Sequence, residues 1–173
     1  MEKYNPGFEY KAASIEELEF IWDKDIAENT GNSRWIEWKT EYIENNIAGK
    51  CKTFVILYDN HPIGQGTLLF SPECSAIDGR AELANGLNIT NINALRIDKN
   101  YEGQGHISKL RKVMEQYAVD AGYTTITIGV EARETKNLAI YLHWGYNVFV
   151  NSEPEDGVLV LYYSKQLTSG FQS

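Results

Sequence analysis

The 173-residue sequence has few cysteines and prolines and no long hydrophobic run. Its two cysteines, Cys51 and Cys74, lack the spacing of a metal site, and we interpret both as inert thiols of a reducing compartment. No stretch approaches the roughly 18 apolar residues of a membrane span, and the first residues show no signal-peptide pattern. The sequence therefore predicts a cytoplasmic protein with no bound metal and no membrane partner.

Basic residues are also scarce, with 16 lysines and arginines against 24 acidic residues, which gives a net charge of −8. Because an acidic chain repels a phosphate backbone, we expect no nucleic-acid partner. The hydrophobic content of 43% is typical of a folded protein rather than a disordered one. No repeat or low-complexity stretch interrupts the chain, so we predict one domain over residues 1–173.

One glycine-rich stretch, residues 101–110, lies between a predicted strand and a predicted helix. Gly103 and Gly105 allow a tight turn whose N–H groups meet the positive end of the helix dipole, an arrangement that binds phosphate. The stretch is not a dinucleotide fingerprint, because Ser108 replaces the third glycine, and no Gly-Lys-Ser/Thr of a P-loop occurs. A tight turn without a ligand remains the simpler alternative.

The rest of the chain predicts a mixed α/β (α+β) fold. Ser14 and Glu17 have the form of a capping box, and the run at 124–130 completes a parallel strand pair with 91–97. Strands are predicted at 8–13, 52–58, 63–70, 91–97, 124–130, 146–150 and 158–163, and helices at 15–29, 34–48, about 106–121 and 134–143. This amounts to a twisted mixed sheet of about seven strands flanked by four helices, with a long loop at 71–90.

A second motif, Glu134 to Tyr146, follows the second parallel strand. Here the chain resembles the GNAT superfamily of acyl-CoA-dependent N-acetyltransferases. That family has a Tyr-Arg-Gly-x-Gly-Ile-Gly-Ser-x-Leu-like turn, a helix, a strand, and a helix ending Tyr-x-x-x-Gly-Phe. The resemblance covers residues 90–150, and this sequence supplies Tyr101, Gly103, Gly105, Ser108, Leu110, Tyr141, Gly145 and Tyr146 in order.

The resemblance implies acetyl-CoA as a co-substrate bound by residues 90–150. In the family, turn amides hold the pyrophosphate; here these belong to Gly103, Gln104, Gly105, His106, Ile107 and Ser108. The preceding strand implies main-chain contacts to pantetheine from Leu95, Arg96 and Ile97. Glu134 occupies the usual position of an asparagine, and Asn137 follows one helical turn later as a further cofactor-binding candidate. Lys109, Arg111 and Lys112 either attract phosphates or form a solvated helix face.

The resemblance also implies a direct transfer to an amine. Tyr141 matches the tyrosine beside the CoA sulfur, which supplies a proton to the leaving thiolate; packing of its ring in the core is the alternative. Glu131 is our first candidate for the general base, followed by Glu82 and His143. No Ser–His–Asp or Cys–His arrangement is evident, so we expect direct attack rather than an acyl-enzyme.

The acceptor is predicted from charge. Residues 1–50 contain eleven acidic and six basic residues, whereas residues 101–150 contain five of each. Because residues 1–50 are expected on the acceptor side, we predict that the acceptor is a small, cationic amine, with an aminoglycoside-like compound as the most specific form of this prediction. A requirement for solubility alone also explains the acidity. A peptide or protein amine, or a non-catalytic CoA-binding sensor, remains open, and a homodimer is possible. Trp22, Trp35, Trp38 and Tyr42 either stack on the acceptor or pack in the core.

Overall fold

The protein is described by a computed structural model that covers residues 7–168. Residues 1–6, where the sequence shows no signal pattern, lie outside this range. The predicted mixed α/β fold is confirmed: seven strands form a sheet in the order β1-β2-β3-β4-β5-β7-β6. The strands are β1 (Phe8–Ala12), β2 (Cys51–Tyr58), β3 (His61–Leu69), β4 (Ile89–Ile97), β5 (Thr125–Glu131), β6 (Val148–Glu155) and β7 (Val158–Gln166). The helices are α1 (Ile15–Glu28), α2 (Arg34–Ala48), α3 (His106–Asp120) and α4 (Thr135–His143), with a short 3₁₀ helix at Lys99–Tyr101.

The chain divides into two compact units, and the predicted single domain over 1–173 stays a prediction. The first unit contains the described residues up to Leu68 together with Ala94–Met114. In this unit β1 runs antiparallel to β2, with Phe8 opposite Tyr58. Helix α1 buries Leu18, Ile21 and Trp22, and Ile21 packs against Val55 and Leu57 of β2. This unit therefore has an apolar core of its own.

The second unit contains Leu69–Asn93 and the described residues from Glu115 onward. Its centre is β5, which pairs in parallel with β4 from Ile89 and antiparallel with β7 from Thr125 to Glu131. The predicted parallel strand pair is therefore present. The long loop before β4 is attached by Arg80, whose guanidinium contacts Glu153 at 2.8 Å and Glu155 at 3.1 Å.

The ends of the helices follow the predicted local rules. Ser14 accepts from the Glu17 amide, and the Glu17 side chain accepts from the Ser14 amide, so the capping box forms. Helix α2 ends at Gly49 with a φ of +76°, the left-handed conformation that glycine adopts without strain. The four helices therefore begin and end close to the predicted residues.

The final hairpin is longer than predicted. We placed its strands at 146–150 and 158–163, whereas β6 begins at Val148, continues through Pro154, and β7 extends to Gln166. The turn is only Asp156 and Gly157, which have φ values of +50° and +78°. Proline is tolerated because β6 is an edge strand, so no ladder hydrogen bond is lost on its open side.

Candidate active site

The glycine-rich turn has the backbone geometry that the sequence predicts. Gly103 and Gly105 have φ values of +74° and +86°, and α3 begins immediately afterwards at His106. The first closing bond runs from the Lys109 amide to the Gly105 carbonyl at 3.1 Å. Across residues 7–168, no acceptor bonds the amides of Gly103, Gln104, Gly105, His106, Ile107 or Ser108. Six N–H donors therefore surround one helix N-terminus.

The side chain of His106 supports this turn. Its Nδ1 lies 2.7 Å from the Tyr10 hydroxyl and its Nε2 lies 3.2 Å from Gln104 Oε1. The ring also stacks on Phe8 at a centroid distance of 4.4 Å. A neutral imidazole satisfies both contacts when Nε2 carries the proton and the tyrosine donates to Nδ1. Burial, and secondarily the Lys109 ammonium, lower the pKa of His106.

This lowered pKa predicts a loss of stability on acidification. The unfolded chain binds the His106 proton at higher pH than the folded chain, so stability is present above the unfolded pKa of about 6.5 and declines below it. The melting temperature of the wild type should therefore fall more steeply between about pH 7.5 and about pH 5 than that of His106→Phe. His143→Phe, at the exposed His143, is the matched control, and its melting temperature should change with pH as that of the wild type does. Equal changes of melting temperature with pH in all three proteins contradict the prediction.

Strand β4 leads into the turn, and its end is irregular. Ala94 has a φ of +54°, an uncommon value for a residue with a Cβ atom, and Leu95, Arg96 and Ile97 follow it. These are the three residues predicted to contact pantetheine through their main chain. The Asp98 amide then donates to the Ile63 carbonyl at 2.8 Å, which joins the end of β4 to β3.

The Arg96 side chain is held by α1 and two tryptophans. Its guanidinium carbon lies 5.2 Å from the Trp22 ring centroid and 5.0 Å from that of Trp35. Arg96 Nη2 is 2.9 Å from Asp25 Oδ2, but the N–H is not directed at the oxygen, so Nε and Nη2 donate no hydrogen bond within the described residues. Burial lowers the pKa of Arg96, an effect that Asp25 opposes. The ion pair is therefore close but incompletely hydrogen-bonded.

A cavity of about 610 Å³ opens beside this ion pair in the first unit. Its charged lining consists of Lys24, Asp25, Glu28, Arg96, Asp98 and Lys99. The apolar lining consists of Ile21, Trp35, Pro62, Ile63 and Ile97, and the remaining lining residues are Asn29, Gly64, Gln65 and Asn100. Its volume is in the range of small-molecule sites.

Two oxygen atoms at the cavity, one of Gln65 and one of Asp25, accept no hydrogen bond from the described residues. Gln65 is 2% exposed, and its Oε1 has no hydrogen-bond donor in the part of the chain that the structure describes. Its Nε2 makes a long contact of 3.4 Å to Asp25 Oδ2. No described residue bonds the other oxygen of Asp25, and burial raises the pKa of this carboxyl although Arg96 opposes the shift. A buried amide oxygen without a donor is costly, so the arrangement favours a ligand that donates.

The second unit contains the remaining predicted site residues. Tyr141 lies on α4, and its ring contacts Trp144 at a centroid distance of 5.6 Å. Burial, and then Glu134, raise the pKa of Tyr141 above its usual value. Its hydroxyl is therefore protonated at neutral pH. Asn137, one turn from Tyr141, donates to Glu134 Oε2 at 2.6 Å.

The three base candidates also belong to the second unit. Glu131 is the last residue of β5 rather than the residue after it, and its Oε2 accepts from Arg133 Nε at 2.8 Å. Glu82 accepts from Asn151 at 3.0 Å, and His143 is exposed at the end of α4.

Sequence reasoning missed the cavity residue Gln65. Gln65 lies in a strand whose residues are almost all buried, where an unpaired amide is unexpected. The signal was available, since a glutamine flanked by Gly64 and Gly66 stands in the middle of this strand. Of the tryptophans, Trp22 packs in the core at 5.0 Å from Tyr42, whereas Trp35 lines the cavity, and its stacking on the acceptor stays a prediction.

Within residues 7–168, no helix is both long and apolar enough to cross a membrane. In the same range, no group of three histidine, cysteine or acidic side chains is placed to hold a metal ion.

Comparison with known proteins identifies the fold. A search of the curated proteins found no match. The solved structures include the Salmonella typhimurium acetyl transferase that modifies the N-terminal serine of ribosomal protein L7/L12, with 15% identity, a TM-score of 0.66, and coverage of 95% of this chain and 97% of that one. YncA from Salmonella typhimurium with its cofactor acetyl-CoA has 12% identity, a TM-score of 0.67, and coverage of 96% and 97%.

A third similar structure is a spermidine N-acetyltransferase chimera from Vibrio cholerae SpeG and hSSAT. It has 17% identity, a TM-score of 0.68, and coverage of 93% of this chain and 96% of that one. The family model for the acetyltransferase (GNAT) family matches residues 14–146. The chain therefore belongs to the GNAT family of acetyltransferases, which are acetyl-CoA-dependent transferases.

Proposed function

We infer that the protein transfers the acetyl group of acetyl-CoA directly to the primary amine of a small acceptor that is cationic at neutral pH. The observation that carries this proposal is the run of six amides from Gly103 to Ser108, to which residues 7–168 offer no hydrogen-bond acceptor. Such a run at a helix N-terminus fits a pyrophosphate group. Membership of the family makes an acetyl thioester the expected source of that group.

The residues of the turn fit the anionic part of acetyl-CoA. A Cβ atom added at Gly103 or Gly105 meets no atom within 4 Å, so the space above the backbone is open to a phosphate. The side chain of Glu102 is exposed. Arg111, which we considered part of a solvated helix face, is instead buried, and its Nη2 lies 3.3 Å from Ser108 Oγ. We propose that its charge adds to the field of the turn.

In the proposed chemistry the acceptor ammonium loses two protons, one before it attacks the thioester and one as the amide forms; the leaving sulfur gains one proton and the other is released to solvent. Bound acetyl-CoA supplies the acetyl group as a thioester, and the amine nitrogen displaces the CoA thiol. The Tyr141 hydroxyl, protonated because burial raises its pKa, donates a proton to the sulfur. Glu131 is the proposed acceptor of the amine proton, with Glu82 and His143 as alternatives. Asn137 and the main chain of Leu95, Arg96 and Ile97 are proposed to position the cofactor.

The charge of the acceptor can be judged from the cavity. Its lining contains three acidic and three basic residues, so the acidity of residues 1–50 is not concentrated there. Glu37 and Glu41, which belong to α2, do not line it. A single positive charge on the acceptor is supported by Asp25, whereas a polycationic, aminoglycoside-like acceptor receives no additional support. A protein amine, the acceptor named for the Salmonella structure, is the second candidate.

Acetyl-CoA titration followed by release of free thiol over a panel of amines tests the proposal. The panel should hold small monoamines, polyamines, an aminoglycoside and a peptide with a free N-terminus. We expect saturable, amine-dependent release, weakened for cations by added salt because charges are screened over about 8–10 Å. Binding of acetyl-CoA without release above background for every amine indicates a CoA-binding sensor. Better use of uncharged or acidic acceptors at low salt contradicts the cationic acceptor.

A further inference from the structure

The cavity in the first unit is lined by both polar and apolar side chains. The polar lining includes Asp25 and Gln65, and the apolar lining includes Ile21, Trp35 and Ile63. Asp25 is already close to Arg96, but only through Oδ2, so its second oxygen is available to a ligand. The apolar side chains offer no hydrogen bond and gain free energy only by covering nonpolar surface.

We propose that this cavity binds an acceptor that bears one ammonium group on a flat or apolar body, with Asp25 and Gln65 receiving the ammonium and Trp35 covering the body. The proposal rests on the proposed function and specifies its acceptor.

Gln65 supports the proposal through hydrogen bonding rather than through charge. It is almost completely buried, and its Oε1 lacks a donor. Its amide nitrogen is near Asp25 Oδ2, so the two side chains belong to one polar group. An ammonium has three N–H donors, enough to satisfy Gln65 Oε1 and Asp25 Oδ1 together. An uncharged hydroxyl has a single donor and leaves one of the two oxygens without a partner.

The charges around the cavity argue for one ammonium rather than several. Lys24 Nζ lies 2.5 Å from Asp98, so this carboxylate already has a cation. Arg96 likewise pairs with Asp25, so this carboxylate also has a cation beside it. With Lys99 also in the lining, a polyvalent cation meets as much positive as negative charge. An apolar body next to the ammonium instead gains contact with the Trp35 ring and with the aliphatic side chains.

The cavity is adjacent to the strand proposed to hold the cofactor. Arg96 and Ile97 line it, and they are two of the three residues assigned to pantetheine. Asp98, Lys99 and Asn100, which connect β4 to the glycine-rich turn, complete that wall. An amine bound here therefore shares a wall with the proposed cofactor strand.

Binding of 2-phenylethylamine, 2-phenylethanol and 1,4-diaminobutane to the full chain tests the proposal, with and without CoA. Calorimetry and tryptophan fluorescence report binding without any acetyl transfer, since Trp35 lines the cavity. We expect 2-phenylethylamine to bind about tenfold or more tightly than either analogue, because the alcohol lacks the charge and the diamine lacks the ring. No binding in either condition, or equal binding of all three, overturns the proposal.

Variants locate the binding site. Asp25→Asn should weaken the binding of 2-phenylethylamine by about tenfold or more, and Gln65→Met should weaken it by about fivefold. The difference is expected because a charge-assisted hydrogen bond contributes more than a neutral one. Gln65→Met retains the Arg96–Asp25 pair and removes an unsatisfied buried oxygen, so it is expected to fold even where Asp25→Asn does not. Asp23→Asn, on the same helix but paired with Lys39 at 2.6 Å, is the matched control and should bind as the wild type does. Unchanged affinity in folded Asp25→Asn or Gln65→Met overturns the proposal.

The two hypotheses fail in different ways. If 2-phenylethylamine binds through Asp25 but no amine releases thiol from acetyl-CoA, the proposed function is wrong and the site remains. If amines are acetylated while their affinity is indifferent to Asp25 and Gln65, the function remains and this site is wrong.

Discussion

Gly105→Val is expected to weaken the binding of acetyl-CoA by about 2 kcal/mol or more, which corresponds to an affinity about thirtyfold lower. Gly105 has a φ of +86°, a conformation that a β-branched residue avoids. Valine must either carry this strain or move the turn, and movement redirects the amides of residues 103–108. Its side chain also occupies the open space where a phosphate is proposed to lie. Calorimetric titration of acetyl-CoA into the folded variant measures the loss.

Gly49→Val is the matched control for this prediction. Gly49 belongs to the same unit, has a φ of +76°, and also has no atom within 4 Å of an added Cβ. The strain in the two variants is therefore similar, and both should lower the melting temperature. Only Gly105→Val should lose affinity for acetyl-CoA. If Gly105→Val binds acetyl-CoA as tightly as the wild type does, the turn does not hold the phosphates.

Tyr141→Phe should lower turnover by about a hundredfold while the affinity for acetyl-CoA changes little. The substitution keeps the ring that contacts Trp144 and removes only the hydroxyl. Because burial raises the pKa of Tyr141, this hydroxyl keeps its proton across the neutral range and can give it to a leaving thiolate. Steady-state rates at saturating acetyl-CoA, together with equilibrium titration, separate the two effects.

A change elsewhere in the second unit shows whether the loss is specific. Tyr163→Phe removes another phenol hydroxyl from a ring that packs edge-on against Phe149 at 5.7 Å. Its turnover should equal that of the wild type. If Tyr141→Phe is as active as Tyr163→Phe, Tyr141 has only a packing role and another donor protonates the sulfur.

Local backbone chemistry explains why so much of the fold was predictable. Ser14 and Glu17 start α1, Gly49 ends α2, and the two glycines of the turn have the positive φ values that only their type adopts readily. In each case the residue type itself favours or permits the local backbone conformation. The last hairpin was less predictable because Pro154 and its acidic neighbours resemble a loop in sequence. Their strand conformation depends on the edge position of β6, which is a tertiary property.

The candidate site likewise has a part that the sequence predicts and a part that it does not. Main-chain roles at Gly103 and Gly105 follow from a short motif, because few other residues permit that geometry. The side-chain roles proposed for Asp25 and Gln65 depend on contacts between residues that are distant in sequence, Asp25 with Arg96 and Gln65 with Asp25. Long-range contacts of this kind leave no periodic signal.

The placement of the two cysteines has a practical consequence for measurements on this protein. Cys51 is 3% exposed and Cys74 is 2% exposed, and neither is in a disulfide. A reagent that detects CoA thiol therefore meets little background from the folded chain. Each compact unit also contains one of the two cysteines. Slow alkylation resolved by peptide mass spectrometry consequently reports how often each unit opens, with one built-in probe per unit and no added label.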